Sequence, residues 1–351
     1  MKTLVILGPL PDKEGKNLGG VADFDYNLAQ RIKKYFNTVV ITNTTLYKKI
    51  DGVKVIPIGD KKYPSVFSWI KIYSTLKKIK PNYTISSLHY SFAVAPLKNV
   101  RKIHFVHGFT GKADYGFLKR FVWDILNWII QRNNFIQLAN SYFTKTINEE
   151  ILMNPIDGVI PLGANDIFRS NYSSTQRNID LLFVGRMLKT KGIFNIAKSL
   201  NYLPKDINVA FVGDGIDSKQ LKKYCAEKKL NAKFLGIRKG KELLKIYHSS
   251  KIFISLNTAE PFGITNIEAL LSGCKIVCSQ TGGQVENLIK YPGSVCFIQN
   301  DSAKGIANAV KTALAEFKSY KPNLESAKKY YSYDRVAKDI VNELEEKNLN
   351  D

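Results

Sequence analysis

Short apolar runs rich in β-branched side chains alternate along the chain with longer stretches that are apolar on one face. Strand and helix in that rhythm imply mainly parallel sheets, whose strands need crossovers between them and are covered on both faces. The pattern predicts strands over 3–8, 38–42, 53–58, 83–87, 102–106 and 135–139. Between them it predicts helices over 21–35, 66–79 (stopped by Pro81), 117–131 and 142–150. A polar stretch rich in Ser and Asn at 170–178 reads as a linker. The alternation then restarts, with strands at 180–186, 209–212, 233–236 and 251–256. Helices follow at 193–200, up to Cys225, at 241–248, at 302–317 and over 322–347. Ligands of such sheets bind beyond the carboxyl ends of the strands.

The 351 residues are enough for two α/β domains with their own cores, and 44% hydrophobic content argues against disorder. No run approaches the length that spans a bilayer. The apolar start at Met1 runs into a Pro/Gly loop rather than a cleavage site, so it reads as a first buried strand and the chain as cytoplasmic. The four cysteines (Cys225, Cys274, Cys278 and Cys296) show neither zinc-ligand nor disulfide spacing, and Cys274 and Cys278 read as core thiols. A net charge of +22 is spread over both halves without a basic tail. Such a surface attracts polyanions: nucleic acid, anionic phospholipid or phosphorylated substrates.

The most specific segment is 260–288. A strand ends in Asn257-Thr-Ala-Glu260, and a helix starts just past Pro261-Phe262-Gly263. Glu260 and Glu268 thus bracket a helix N-terminus, whose unpaired N–H groups suit phosphate. Gly263 permits close approach to the backbone. Each carboxylate could grip a different hydroxylated ring of one ligand, as in a nucleotide sugar. Taken singly, Glu268 could simply complement the helix terminus and Glu260 be a solvated loop charge.

The whole segment resembles the signature of the retaining glycosyltransferases of family 4, the glycosyl transferases group 1. It has Glu-x7-Glu with Pro-Phe-Gly after the first Glu, then Glu-Ala-Leu-Leu-Ser-Gly and Ser-Gln-Thr-Gly-Gly-Gln-Val-Glu286. The resemblance implies the GT-B fold: two Rossmann-like β/α/β domains with the active site in the interdomain cleft. The domains would be residues 1–168 for the acceptor and 169–330 for the nucleotide sugar, with a helix at 331–351 crossing back. Glu260 would contact the donor sugar and Glu268 the ribose, while amides of Phe262, Gly263, Ile264 and Thr265 bind the diphosphate. Gly185-Arg186-x4-Lys191-Gly192 resembles the family's phosphate clamp, in which Arg186 and Lys191 stabilise the leaving group; without that resemblance it is a basic turn. Lys189 is expected to point to solvent. Gly19-Gly20 would face the donor phosphate, although paired glycines also suit a plain turn. His107 would sit beside the sugar and the acceptor, whereas His104 reads as packing. Gly213 and Ile237 would lie near the nucleotide.

Together these imply transfer of a hexose from a nucleoside diphosphate sugar, a UDP-sugar first among the donors, with retained configuration. The acceptor would be a saccharide, lipid-linked in a bacterial surface polysaccharide pathway such as O-antigen, capsule or lipopolysaccharide. The family that the chain resembles needs no metal, and neither the 260–288 segment nor Gly185–Gly192 holds an Asp-x-Asp, so no metal or other cofactor is expected. With the charge dispersed over both halves, no specific nucleic acid is expected either. The aromatic helix at 117–131, with basic residues nearby (Lys112, Lys119, Arg120), leaves peripheral contact with anionic membrane open; its apolar residues lie on so many sides that a buried core helix is the favoured reading. Two rivals stay open: an epimerase or hydrolase of the same fold, and a basic polyanion-binding protein without catalysis.

Overall fold

Most parallel strands of this chain are apolar runs that end in a loop and are followed by a helix. The computed structural model describes residues 1–11, 19–59, 65–109, 117–170 and 176–345, with 117–120 described by backbone alone. Asn17, Leu18, Lys112, the side chains of Lys119 and Arg120, most of the 170–178 stretch and everything past Glu345 lie outside the described residues. The chain divides into two compact units, Met1–Gly163 with Ser332–Asp351, and Ala164–Tyr331.

The first unit holds β1 (Thr3–Leu7), β2 (Asn37–Thr42), β3 (Lys49–Ile50), β4 (Val53–Pro57), β5 (Tyr83–Ser87), β6 (Arg101–Val106), β7 (Phe135–Ala139) and β8 (Gly158–Val159). Their order in the sheet is β3-β4-β2-β1-β5-β6-β7-β8, parallel except for the short β3–β4 ladder at the edge. Helix Val66–Ile79 shows how local sequence sets its ends. Ser65 Oγ accepts from Ser68 N at 3.3 Å, and Lys80 closes the other end in the left-handed region at φ 53° before Pro81. Helix Tyr142–Thr146 does not run on regularly to Glu150 as expected; a π-type turn, Ile147–Ile151, takes over.

The predicted helix over 322–347 is two helices, Glu325–Tyr330 and Tyr333–Glu345, with the unit boundary between them. The second packs on helix Gly20–Ile32 of the first unit. Lys34 Nζ reaches Asp334 at 2.7 Å, Tyr333 packs its ring on Phe24, and Arg335 donates to Pro161 O. The other border also moves from the one expected at 168/169. Helix Asp166–Arg169 belongs to the second unit, where Phe168 packs edge-on against Tyr247 and Arg169 donates to Lys328 O.

The second unit holds β9 (Ile179–Val184), β10 (Val209–Val212), β11 (Ala232–Gly236), β12 (Ser250–Ser255), β13 (Lys275–Ser279) and β14 (Val295–Ile298). All are parallel, in the order β11-β10-β9-β12-β13-β14. The order reverses at β9 and β12, the switch point at which open α/β sheets bind ligands. Leu181, Phe211, Ile252, Ile254 and Val277 carry the core under it, fully out of solvent. Cys274 and Cys278 are buried thiols, as expected, and burial pushes them up to about 11 and about 12.

Candidate active site

Apart from Gly19 and Gly20, which belong to the first unit, the residues expected at the donor site lie at or just past the carboxyl ends of β9, β10, β11 and β12. Three loops there are laced together by backbone. Gly185 N donates to Val212 O (3.0 Å), Met187 N to Asp214 O (2.9 Å) and Gly213 N to Gly236 O (2.8 Å). Gly213 has φ +121°, and a Cβ there would lie 1.9 Å from Gly185 O, so only glycine fits. Gly213 therefore serves to bring the loops of Gly185-Arg186 and Gly236-Ile237 together. Arg186 extends from this junction, exposed and without a side-chain partner among the described residues. Ile237 is 51% exposed and Lys189 points to solvent as expected.

Lys191 does not stand beside Arg186 as a second open cation. Its Nζ lies 2.7 Å from Glu260 Oε2, which also accepts from Asn257 Nδ2 at 2.7 Å. Both charges of the pair are about four-fifths buried, and the contact joins the loop after β9 to the loop after β12. The loop is held from behind: Gly283 N donates to Glu260 O (2.7 Å), and a Cβ at Gly282 (φ +85°) would strike the Glu260 backbone. Gln284, out of solvent, donates to Asn257 O at 3.1 Å, and Asn287 donates to Phe262 O at 3.0 Å. Phe262 is thereby a buried anchor, its ring near Tyr331.

Helix Ile264–Leu271 starts at Gly263, in the left-handed region at φ +83°. Its first N–H to bond back is that of Asn266, to Gly263 O at 3.0 Å, which leaves the amides of Ile264 and Thr265 directed outward. Glu268 is one turn in, where its Oε2 accepts from the buried Tyr247 hydroxyl at 3.1 Å. Burial, then the Glu268 charge, raises the Tyr247 hydroxyl well above its ordinary range, so it stays a donor. Sequence reasoning missed Asn257, Tyr247, Gln284 and Asn287. The available signal was a polar side chain directly after an apolar strand, and amides in the Gly-Gly-Gln-Val-Glu-Asn run.

In the first unit, Gly19 has φ +53° and leads helix Gly20–Ile32, with both glycines exposed. His107 follows β6 and is half-buried. Its Nε2 lies 3.1 Å from Ser87 Oγ, and its carbonyl accepts from Asn140 Nδ2 at 2.8 Å. Burial, then the neighbouring His104, pushes its pKa down to about 3. His104 is structural, as read: its Nδ1 meets Ser91 Oγ at 2.7 Å, within a buried relay to Ser86. Helix Phe117–Arg132 departs from the favoured buried reading. Leu126 and Ile130 are fully buried, whereas Phe121 (56%) and Trp128 (55%) face outward. Among the described residues no group of His, Cys, Asp and Glu gathers as a metal site, and no helix is long and apolar enough to cross a membrane.

Two parallel-sheet units with these strand orders are the α/β fold of GT-B glycosyltransferase structures. A sucrose-phosphate synthase from Thermosynechococcus elongatus superposes with a TM-score of 0.82 at 14% identity, over 100% of both chains. The Anabaena protein HepE, solved with UDP and glucose, superposes at 0.76 and 14%, over 97% of this chain and 98% of that one. Residues 165–330, nearly all of the second unit, match the family Glycosyl transferases group 1, so the chain carries a domain of that type. An uncharacterized glycosyltransferase of Methanocaldococcus jannaschii is 31% identical over 170 residues, 46% of this chain. The chain spans 43% of that relative's length.

Proposed function

We propose that this chain is a retaining glycosyltransferase of the family 4 type, moving a hexose from a nucleoside diphosphate sugar to a saccharide acceptor. The observation that carries the reading is the set of groups at the carboxyl edge of the second sheet: an open Arg186, the Lys191–Glu260–Asn257 contact, two outward amides and Glu268. In this reading Arg186, Lys191 and the amides of Gly263, Ile264 and Thr265 hold the diphosphate and stabilise its charge as it leaves. Glu260 meets hydroxyls of the sugar, Glu268 those of the ribose, and the backbone at Gly213 and Ile237 borders the base. Gly19 and Gly20 offer backbone to the phosphate, and His107 contacts the transferred sugar. The reaction proceeds through an oxocarbenium-like state on one face of the sugar, with positioning rather than a dedicated acid or base as the main contribution. A UDP-sugar comes first among donors, and the fold's likeness to a protein solved with UDP and glucose supports that order.

The test is thermal stabilisation across UDP-, GDP-, ADP- and dTDP-sugars, with and without EDTA. One nucleotide at about a hundredfold excess over its Kd should raise Tm by about 5 °C or more. Glu268→Ala should abolish the shift, and EDTA should leave it unchanged, since the reading needs no metal. No shift with any nucleotide would overturn the donor assignment. Nucleotide-sugar consumption independent of any acceptor would favour an epimerase or hydrolase.

A lipid-linked acceptor at an anionic membrane, in bacterial surface polysaccharide synthesis, is the finer form of the proposal. Its support is the outward row Phe121, Val122, Ile125 and Trp128 on helix Phe117–Arg132, with Phe67 and Ile70 exposed on helix Val66–Ile79. Both helices pack on Ser91–Val94, and lysines at 71, 77, 78 and 80 adjoin the latter. Such an apolar face rimmed by cations fits an anionic bilayer surface. Sedimentation with phosphatidylglycerol vesicles should fall at least tenfold in a Phe121→Ser/Trp128→Ser variant; binding that survives it would exclude this face.

A further inference from the structure

We propose that a groove at the amino edge of the first sheet binds a multiply charged phosphate group, at a site separate from that of the nucleotide sugar. His107 and Asn140 follow the carboxyl ends of β6 and β7, whereas the groove lies where β1, β5, β6 and β7 begin.

The groove has a volume of about 1270 Å³. Five cations line it, Lys2, Lys98, Arg101, Lys102 and Arg132, and among the described residues no Asp or Glu does. Parallel α/β folding accounts for part of this. The helices run back against the strands, so their C-terminal carbonyls collect at this edge, and cations suit them. Lys102 Nζ donates to Ala95 O at 3.0 Å, just past helix Ser91–Val94, and Arg132 ends helix Phe117–Arg132. The rest of the charge has no such explanation. The end of a long helix carries about half a negative charge, and Glu345 acts on Lys2. Five cations still leave an excess of about +3.

Lys102 is the observation that carries the proposal. It is 5% exposed, yet no carboxylate pairs with its ammonium among the described residues. Its Nζ has the Ala95 carbonyl and, 5.3 Å from the ring centroid, Phe135. Buried lysines are almost always paired, because a lone charge out of water is costly. Burial lowers its pKa, and no neighbouring acid opposes that. A phosphate group in the groove supplies the missing charge. Arg101, the preceding residue, is half-buried and likewise has no partner among the described residues. The register sets it beside Tyr83, whose hydroxyl accepts from Lys2 Nζ at 2.7 Å. A guanidinium fork and ammonium groups on one groove suit phosphate oxygens. Asn82 Oδ1 is taken by Thr3 N at 2.8 Å, which leaves its amide N–H groups for the ligand. The Arg132 guanidinium lies over the Trp128 ring at 4.8 Å, so the groove borders the outward apolar row. A soluble phosphorylated molecule and an anionic lipid headgroup present the same chemistry to it.

Inorganic pyrophosphate is the probe, titrated into the full chain carrying Arg186→Ala, whose donor site lacks its open cation. It should bind with a Kd on the order of 1 mM or tighter at low salt. Adding Arg101→Gln should weaken binding about tenfold or more, the scale of one charge-assisted hydrogen bond. Lys102→Met should do the same; if that variant fails to fold, Arg101→Gln, which has no intramolecular partner to lose, carries the test. No binding to the Arg186→Ala protein, or binding that Arg101→Gln leaves unchanged, would sink the proposal. Sedimentation with phosphatidic acid vesicles then separates the two sources. A tenfold loss in Arg101→Gln identifies a headgroup, and unchanged sedimentation with pyrophosphate binding lost identifies a soluble phosphate.

Discussion

Replacing Arg186 with alanine is expected to lower kcat/KM about a hundred- to a thousandfold, the scale for loss of one preorganised charge-stabilising donor. The fold should not notice. The side chain is exposed and has no intramolecular partner among the described residues. The backbone on either side of it is pinned independently, by Gly185 N to Val212 O at 3.0 Å and Met187 N to Asp214 O at 2.9 Å. Surface truncations of this kind change stability by about 0.5 kcal/mol or less. Stability and activity therefore separate in one variant. Arg186→Lys should recover part of the loss, since it restores charge but not the planar fork. Steady-state kinetics beside a denaturation curve decide the matter, and an alanine variant with parental kcat/KM would remove Arg186 from the site.

What the sequence disclosed depended on range. Strand 83–87 and helix 66–79 were legible to the residue, because alternation of apolar runs with capped, Pro-terminated helices is a local property. The positions of Arg186, Glu260 and Glu268 at a strand end or a helix start were legible locally. The roles expected of them came from the family resemblance, since taken singly they also read as a basic turn, a loop charge and a helix-terminus complement. Contacts between distant segments were not legible. Nothing local says that Lys191 reaches across to Glu260, that Tyr247 donates to Glu268, or that Gly213 exists to admit Gly185 O. The two-residue strands β3 and β8 were equally invisible, since their pairing is made by neighbours rather than by their own composition. For the same reason Asp25 escaped notice: in the sequence it is one more polar residue on a helix, and only packing against Gly8 makes it a buried acid.

The second large effect should come from the Lys191–Glu260 contact, and its form matters more than its size. Each of Lys191→Ala and Glu260→Ala is expected to lower kcat/KM on the order of a hundredfold or more, as for loss of a preorganised charged group in a site. Were the two residues independent, the double variant would show the product of the two losses. The 2.7 Å contact, about four-fifths buried on each side, predicts otherwise. Without Lys191, the Glu260 carboxylate keeps Asn257 Nδ2 as its one side-chain partner among the described residues, and its negative charge stands uncompensated at the proposed diphosphate site. Without Glu260, Lys191 loses the anchor that sets its ammonium at the loop after β12. Each single change thus already disables the partner, and residues acting as a unit are strongly non-additive. The double variant should fall within about tenfold of the worse single variant. Multiplicative losses would show instead that the pair seen here opens before the donor binds, with each residue then acting on its own part of the ligand.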